Sequence, residues 1–321
     1  MISIIMIAFN VEPYVRQAIE SVLAQTYRDF ELIIVASPGK DKTVDICGEY
    51  AQKDQRIKLI TCPPKGEPDA RNHGLKAVTG DYLGFVDSDD YVEPDMFERM
   101  LGNMEKYDAD IAVCGRFFEY KNGTLKDAAK DPVVMTPSEA IATTLGHDGF
   151  FLHCWDKLFS KKIFTGLVFR PDMPVEDRIV VDTLLAKADR IVYDSTPMYH
   201  FRERSGSGSK RREGVRKNVE ANRLMEEFVK GSHPELSDRC DAFMLYEYIT
   251  AIQNELVMED TNKDDVKEFT KDVKRLLRTR NPYVNKTLKI KALMAVYSPL
   301  ILKMYTVRRQ ANVAAKLERF S

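Results

Sequence analysis

The first hundred residues alternate between short unbroken apolar runs and segments whose apolar positions recur every three or four residues. Ile2–Ala8 reads as a buried strand, and residues 11–25 as a helix with Val15, Ala18, Ile19, Val22 and Leu23 on one face. The pattern then repeats. Strands are predicted over 31–36 ("ELIIVA"), 57–61 and 81–86, and helices over 43–54, 69–77 and 94–106, the last with Pro94 near its first turn. Continuous β-branched runs alternating with amphipathic helices imply a parallel sheet covered on both faces. Such sheets bind ligands at the carboxyl ends of their strands.

Beyond this the pattern loosens. Residues 110–118 read as a strand, 119–135 as a polar hairpin or loop, and "TPSE" at 136–139 as a helix start. Residues 147–175 are irregular and rich in aromatics ("HDGFFLHCWDKLF"). A helix over 176–188 and short strands over 191–194 and 198–202 follow. The Gly/Ser-rich basic stretch "RERSGSGSKRREG" (202–214) reads as a mobile loop and a boundary, and the spacing is helical from Val215 onward. The expected organisation is therefore an α/β domain over 1–207, in two halves (1–116 and 117–207), and a helical region over 208–321.

The bulk numbers exclude more than they assign. The chain has 321 residues, 44% hydrophobic and 30% charged, as in a soluble globular protein. A net charge of −1 gives no argument for a nucleic-acid partner. Five scattered cysteines, with no CxxC pair, read as reduced thiols of a cytoplasmic protein. "MISIIMIAFN" has no basic lead and reads as a strand rather than a signal peptide. No apolar run of about 18 residues predicts a spanning helix. Charge is instead local. Residues 281–321 carry eight cations against Glu318 alone, interleaved with Leu288, Leu293, Met294, Tyr297, Leu300 and Ile301. Such a tail suits peripheral contact with an anionic membrane surface. The alternative is a helix pair with a solvated basic face.

Candidate chemistry begins at "DSDD", where Asp87, Ser88, Asp89 and Asp90 follow the fourth strand. Two carboxylates two residues apart can hold a hard cation, Mg2+ or Mn2+, from one side and leave the other open to phosphate oxygens. The competing reading is a helix start, with Asp90 or a neighbour as cap. A dinucleotide-dependent oxidoreductase is excluded, because no GxGxxG follows the first strand. A calcium loop is excluded too, because Val92 occupies the position that needs glycine.

Two segments, "ISIIMIAFNVEPYVRQAIESVLAQTYRDFELIIV" and "ARNHGLKAVTGDYLGFVDSDDYVEPDMFERM", resemble the opening and the centre of the family 2 inverting glycosyltransferases, in their wording and in the spacing between them. The resemblance is dense over about residues 1–116, thinner over about 150–207, and does not extend over 210–321. It implies a GT-A fold, a Rossmann-like, mostly parallel sheet flanked by helices, followed here by a helical extension. It also implies a nucleotide-diphosphate-sugar donor and a glycan or lipid-linked glycan acceptor, as in bacterial surface-polysaccharide assembly. Carried over, Asp89 is the metal ligand, Asp87 contacts ribose or metal, and Ser88 lies with them. Asp177, in "VED", is the general base, and Glu176 beside it faces the acceptor. His200 joins the metal or the diphosphate. Arg202 and Arg204 belong to the segment that closes over the donor. Trp155, in "CWDKLF", lines the acceptor side, with a core role as the alternative. Arg71 reaches the nucleotide or steadies Asp87, with a structural ion pair as the alternative.

The pattern breaks at one place. Where the family carries "VDDGS" after the second strand, this chain has "VASPGK", with Ala36 and Ser37 in place of both acids. Ser37 offers a hydroxyl to a base edge with less energy than a carboxylate. Ala8, Asn10 and Glu12 stand where the family's first turn meets the nucleotide, without its proline. A second reading follows: a member of the fold that binds nucleotide or glycan without catalysis.

Overall fold

A computed structural model describes residues 1–120, 123–146, 149–164, 166, 168–173, 175–203 and 212–318. The chain forms two compact units. The first holds residues 1–120, 124–144 and 149–203, and the second residues 121–123, 145–148 and 204–321. The stretch expected to form a boundary at 202–214 falls largely outside the described residues.

In the first unit the predicted alternation is present almost residue for residue. It runs β1 (Ile2–Ala8), α1 (Glu12–Leu23), β2 (Phe30–Ala36), α2 (Thr43–Lys53), β3 (Ile57–Thr61), α3 (Glu67–Ala77), β4 (Tyr82–Phe85), β5 (Tyr91–Val92), α4 (Met96–Tyr107) and β6 (Ile111–Tyr120). It continues with β7 (Gly123–Lys126), β8 (Val133–Met135), α5 (Pro137–Thr144), β9 (Lys157–Ser160), α6 (Glu176–Lys187) and β10 (Ile191–Arg202). Every residue of β2 is buried, and β1 is nearly so, as a central strand covered on both faces requires. Glu31 is the polar exception in β2. Burial raises its pKa, but Lys58, the Ser3 hydroxyl and Thr79 bring it down to about 2. The same bonds tie β1, β2 and β3 to the turn before β4.

The sheet order is β3-β2-β1-β4-β9-β6-β10-β5, with β7 on β6 and β8 on β10. The strands of its first half, β3, β2, β1 and β4, are all parallel, as are β6 and β10. β9 departs from the parallel expectation and runs antiparallel to both β4 and β6. It comes from the stretch predicted as irregular. Its buried Lys157, Leu158 and Phe159 bridge the two halves of the sheet.

The two short strands expected over 191–202 are one strand with register shifts at Asp194/Pro197 and Pro197/Tyr199. Pro197 cannot donate to the ladder, so a bulge absorbs it. Gly115 makes the bulge feasible, since a Cβ there would meet Ser195 O at 2.1 Å. The ladder then pairs Tyr199 with Val92 and His200 with Tyr91, placing the end of β10 beside the DSDD turn.

The second unit is helical: α7 (Arg212–Ser232), α8 (Ser237–Val257), α9 (Lys263–Leu276), α10 (Lys286–Tyr297) and α11 (Pro299–Glu318). Met225, Val229, Cys240, Met244, Leu245, Ile249, Phe269 and Val273 fill its core. No helix among the described residues is long and apolar enough to cross a membrane.

Candidate active site

Asp87 and Asp89 sit just past β4, half-buried, while Ser88 and Asp90 are fully buried. Tyr199 organises the turn. Its hydroxyl donates to Asp90 Oδ2 at 3.0 Å and accepts the Asp87 amide at 3.0 Å. Asp90 Oδ1 accepts the Arg202 amide at 2.8 Å. Asp90 thus fastens β4 to β10. Burial raises the Asp87 pKa to about 7 despite Arg71, with Asp89 adding to the rise. Asp90 is raised well above the carboxylate range by burial and by the charges of Asp87 and Asp89, against the bonds from Arg202 and Tyr199. Two carboxyls, Asp87 and Asp90, that resist ionisation in this way give the turn a deficit of positive charge. The donor set is hard oxygen, which suits Mg2+ or Mn2+. Among the described residues, neither Asp87 nor Asp89 belongs to a group of three His, Cys, Asp or Glu ligands. Magnesium needs only one or two carboxylates when phosphates and water complete its shell, so Asp87 and Asp89 fit the ion.

Arg71 lies on α3 and is 6% exposed. It stacks over the Phe169 ring at 5.5 Å and lies 3.5 Å from Glu67. Its guanidinium is held charged against burial by Asp177, Glu67 and Asp87, in that order. One buried cation therefore serves both the end of β4 and the start of α6. Asn72 makes two bonds to the backbone of Phe169, at 2.7 and 2.9 Å, and so fixes the ring beneath Arg71.

Asp177 occupies the first turn of α6, next to Val175, whose φ of 47° turns the chain into the helix. Its Oδ2 accepts from His153 Nδ1 at 3.2 Å and its Oδ1 from the Arg178 amide at 2.9 Å. Burial pushes this carboxyl up. His153, Arg71 and Arg178 outweigh it and bring it down to about 2. His153 was not read from the sequence. The only signal was the aromatic richness of its segment, where its ring stacks on Trp155 at 5.3 Å. Beneath that segment Lys157 is fully buried and donates to Phe151 O, His153 O and Asp156 Oδ1. This buried ammonium shapes the loop that presents His153.

Several sequence expectations need correction. His200 does not join Asp87 or Asp89. It is stacked between Tyr91 at 4.1 Å and Phe117 at 4.2 Å. Its two nitrogens meet Glu93 at 2.8 Å and Glu119 at 3.0 Å, which leaves none for a metal. Trp155 presents no open face to a sugar. It is 6% exposed, and His153, Tyr199 (4.4 Å) and Phe201 (5.7 Å) stack around it. Arg202 braces the wall, donating to Asp89 O at 3.0 Å and Gln17 Oε1 at 2.5 Å over the Tyr91 ring. Arg204 lies outside the described residues, and so does the Glu176 side chain.

Beside the DSDD turn, the carboxyl ends of β1 and β2 are joined by loop-to-loop bonds. Asn10 holds φ 53° and its Oδ1 accepts the Lys40 amide at 2.8 Å. Glu12 accepts the Lys42 amide at 2.9 Å and donates its own to Asp41 at 3.0 Å. A Cβ at Gly39 would meet Asn10 Oδ1 at 2.1 Å, so any larger residue there displaces the Asn10 side chain from Lys40. Ala8 is buried and its carbonyl accepts the Ser37 amide at 3.0 Å. The Ser37 hydroxyl is buried 3.5 Å from Cys62 Sγ. Asn10 and Glu12 thus latch the β1–α1 and β2–α2 loops together.

The chain is similar to known proteins in sequence and in fold. The chain is 31% identical over 219 residues to glycosyltransferase GlyA of Streptococcus pneumoniae serotype 4, covering 65% of this chain and 31% of that protein. It is 32% identical over 217 residues to the uncharacterized glycosyltransferase EpsJ of Bacillus subtilis, covering 64% and 62%. The chain thus spans about a third and about three-fifths of these relatives. The fold matches S. aureus TarS 1–349, solved in complex with UDP-GlcNAc, with a TM-score of 0.63 at 16% identity over 99% of this chain and 90% of that one. A sequence profile described as "Glycosyl transferase family 2" matches residues 3–167, a little over half of the chain. With the strand order and the acid-lined sheet edge already in hand, that match makes the chain a member of glycosyl transferase family 2.

Proposed function

We propose that the protein transfers a sugar, with inversion, from a nucleotide-diphosphate sugar to a hydroxyl of a polysaccharide or lipid-linked glycan. The observation that carries this reading is Arg71. A single buried guanidinium is drawn on by both Asp177 and Asp87, which supports a site where a donor-side acid and the candidate base act together. The acceptor oxygen attacks the anomeric carbon as the bond to the diphosphate breaks, and its proton passes to Asp177. A carboxyl held down to about 2 is ionised throughout the physiological range. It takes the proton only as the forming bond makes the hydroxyl acidic. His153 orients it, and Asp87 and Asp89 would hold a divalent cation. When bound, that cation supplies Lewis-acid stabilisation of the departing diphosphate.

The decisive measurement is release of nucleoside diphosphate from a panel of nucleotide sugars with Mg2+ or Mn2+. Asp177→Asn is expected to lower turnover by about 10²–10⁴, and Asp89→Ala to remove the metal requirement together with the activity. His153→Phe, which keeps the ring stack, falls between these variants and wild type. Full turnover in Asp177→Asn overturns the base assignment.

The acceptor's location rests on α10 and α11. Tyr297, Leu300, Ile301, Met304 and Val307 are at least half exposed, beside exposed Lys286, Lys289, Arg308 and Arg309. An apolar row flanked by cations suits the anionic inner face of a plasma membrane. The protein should sediment with phosphatidylglycerol vesicles and leave them when Leu300 and Ile301 become Ser. Equal binding by that double variant sinks the membrane reading.

A further inference from the structure

A second cluster lies at the carboxyl end of β3, three strands from the DSDD turn that follows β4. Cys62 directly follows β3 and is buried, its amide fixed on Ala36 O at 3.2 Å. Asp69 and His73 are four residues apart on α3, and therefore on one face of the helix. The Cys62 sulfur, an Asp69 carboxylate oxygen and a His73 ring nitrogen all lie within 4.8 Å of one another. Asp69 Oδ2 is shut off from water and has no hydrogen-bond partner. His73 Nδ1 lies 3.6 Å from it, beyond hydrogen-bonding distance, and 2.8 Å from the Asp69 carbonyl oxygen. A buried carboxylate oxygen left without a partner is a cost that folded proteins seldom carry. The bland alternative is a buried thiol beside a half-exposed Asp–His pair.

We infer that Cys62, Asp69 and His73 form a site for a borderline-soft divalent cation of the zinc type. The ligand chemistry decides the class. Thiolate with imidazole and carboxylate matches zinc, whereas magnesium and calcium take oxygen alone. Ligands at about 2.0–2.3 Å in a tetrahedron lie about 3.3–3.8 Å apart, and the 3.6 Å between Asp69 Oδ2 and His73 Nδ1 is already that separation; ligation through Nδ1 gives up its 2.8 Å hydrogen bond to the Asp69 carbonyl, the ring proton passing to Nε2. The other two spacings are no more than 4.8 Å. Binding expels the thiol proton to solvent. The Ser37 hydroxyl, 3.5 Å from the sulfur, then donates to the thiolate and steadies it. Three protein ligands leave the fourth position to water. The ion pins the first turns of α3 to the end of β3, and α3 carries Arg71. The serine that replaces a family acid at position 37 so acquires a role in this cluster.

The test uses the full chain, stripped with chelator and titrated with Co2+ in the absence of nucleotide. Stoichiometric binding is expected to give a thiolate-to-cobalt charge-transfer band in the near ultraviolet and the visible absorption of a four-coordinate ion, both lost on adding Zn2+. Cys62→Ser removes the charge-transfer band. Asp69→Asn and His73→Gln each weaken Co2+ binding by about tenfold or more. Asp89→Ala leaves the band unchanged, which separates this site from the proposed catalytic cation. Absence of the band in wild type, or its persistence in Cys62→Ser, overturns the inference. Should Cys62→Ser fail to fold, unchanged Co2+ affinity in His73→Gln overturns it equally.

Discussion

Asp177 and Asp182 lie on one helix, one at its first turn and one in its body, and both are buried. Their chemistry is opposite. Asp177 is held down to about 2, whereas burial pushes Asp182 up to about 8, relieved only by Arg178. Neither carboxylate oxygen of Asp182 has a hydrogen-bond partner. Asp177 has His153, a backbone amide and the charge of Arg71. Residue type and burial are the same, so partners alone decide which acid is a ready base and which stays neutral. This sets the start of α6 apart as a working position.

Removing the Arg71 charge tests the difference between the two acids most severely. Arg71→Met keeps the stem over Phe169 and deletes the charge. Asp87 and Asp177 then face each other without it, and Asp177 moves toward the behaviour of Asp182. Removing one side of a buried charge pair costs about 3 kcal/mol or more, so urea unfolding should show a loss of that size. A loss below about 1 kcal/mol means that the guanidinium is not what holds Asp177 ionised.

The contrast also marks what the sequence could reveal. The DSDD turn was legible because carboxylates that dense, directly after an apolar run, demand a cation whatever surrounds them. The β1–α4 alternation was legible because each element carries its own period. "VED" gave the acid of α6 only through the family resemblance, and nothing local separates Asp177 from Asp182. The difference is made by His153 and Arg71, which are remote in sequence and arrive through β9 and α3. His200 misled for a related reason. A histidine near the end of a strand fits a ligand role until the register pairs it with Tyr91 and brings Glu93 and Glu119 onto its nitrogens. Asn10 and Glu12 match a nucleotide-facing turn, and in the fold Asn10 Oδ1 and Glu12 Oε2 also accept the amides of Lys40 and Lys42. Local chemistry names a residue's capacity, and tertiary partners decide its use.

The comparison is sharpened by titrating stability rather than by deleting charge. A carboxyl raised in the folded state is bound to its proton there while the unfolded chain has already released it. Its contribution is therefore fully present below the unfolded pKa, near 4, and is lost as pH rises through about 8. Asp182→Asn has no such proton. Across that window wild type should lose stability relative to the variant by up to about 1.4 kcal/mol per pH unit, and the difference should level off above it. Asp177→Asn should show the reverse dependence at lower pH. A depressed carboxyl stabilises above the unfolded pKa, and that gain disappears as pH falls toward about 2. Unfolding midpoints for the three proteins from pH 3 to pH 9 decide the matter. Parallel curves for wild type and Asp182→Asn between pH 5 and pH 8 would mean that Asp182 has found a partner, and the contrast along α6 would fall.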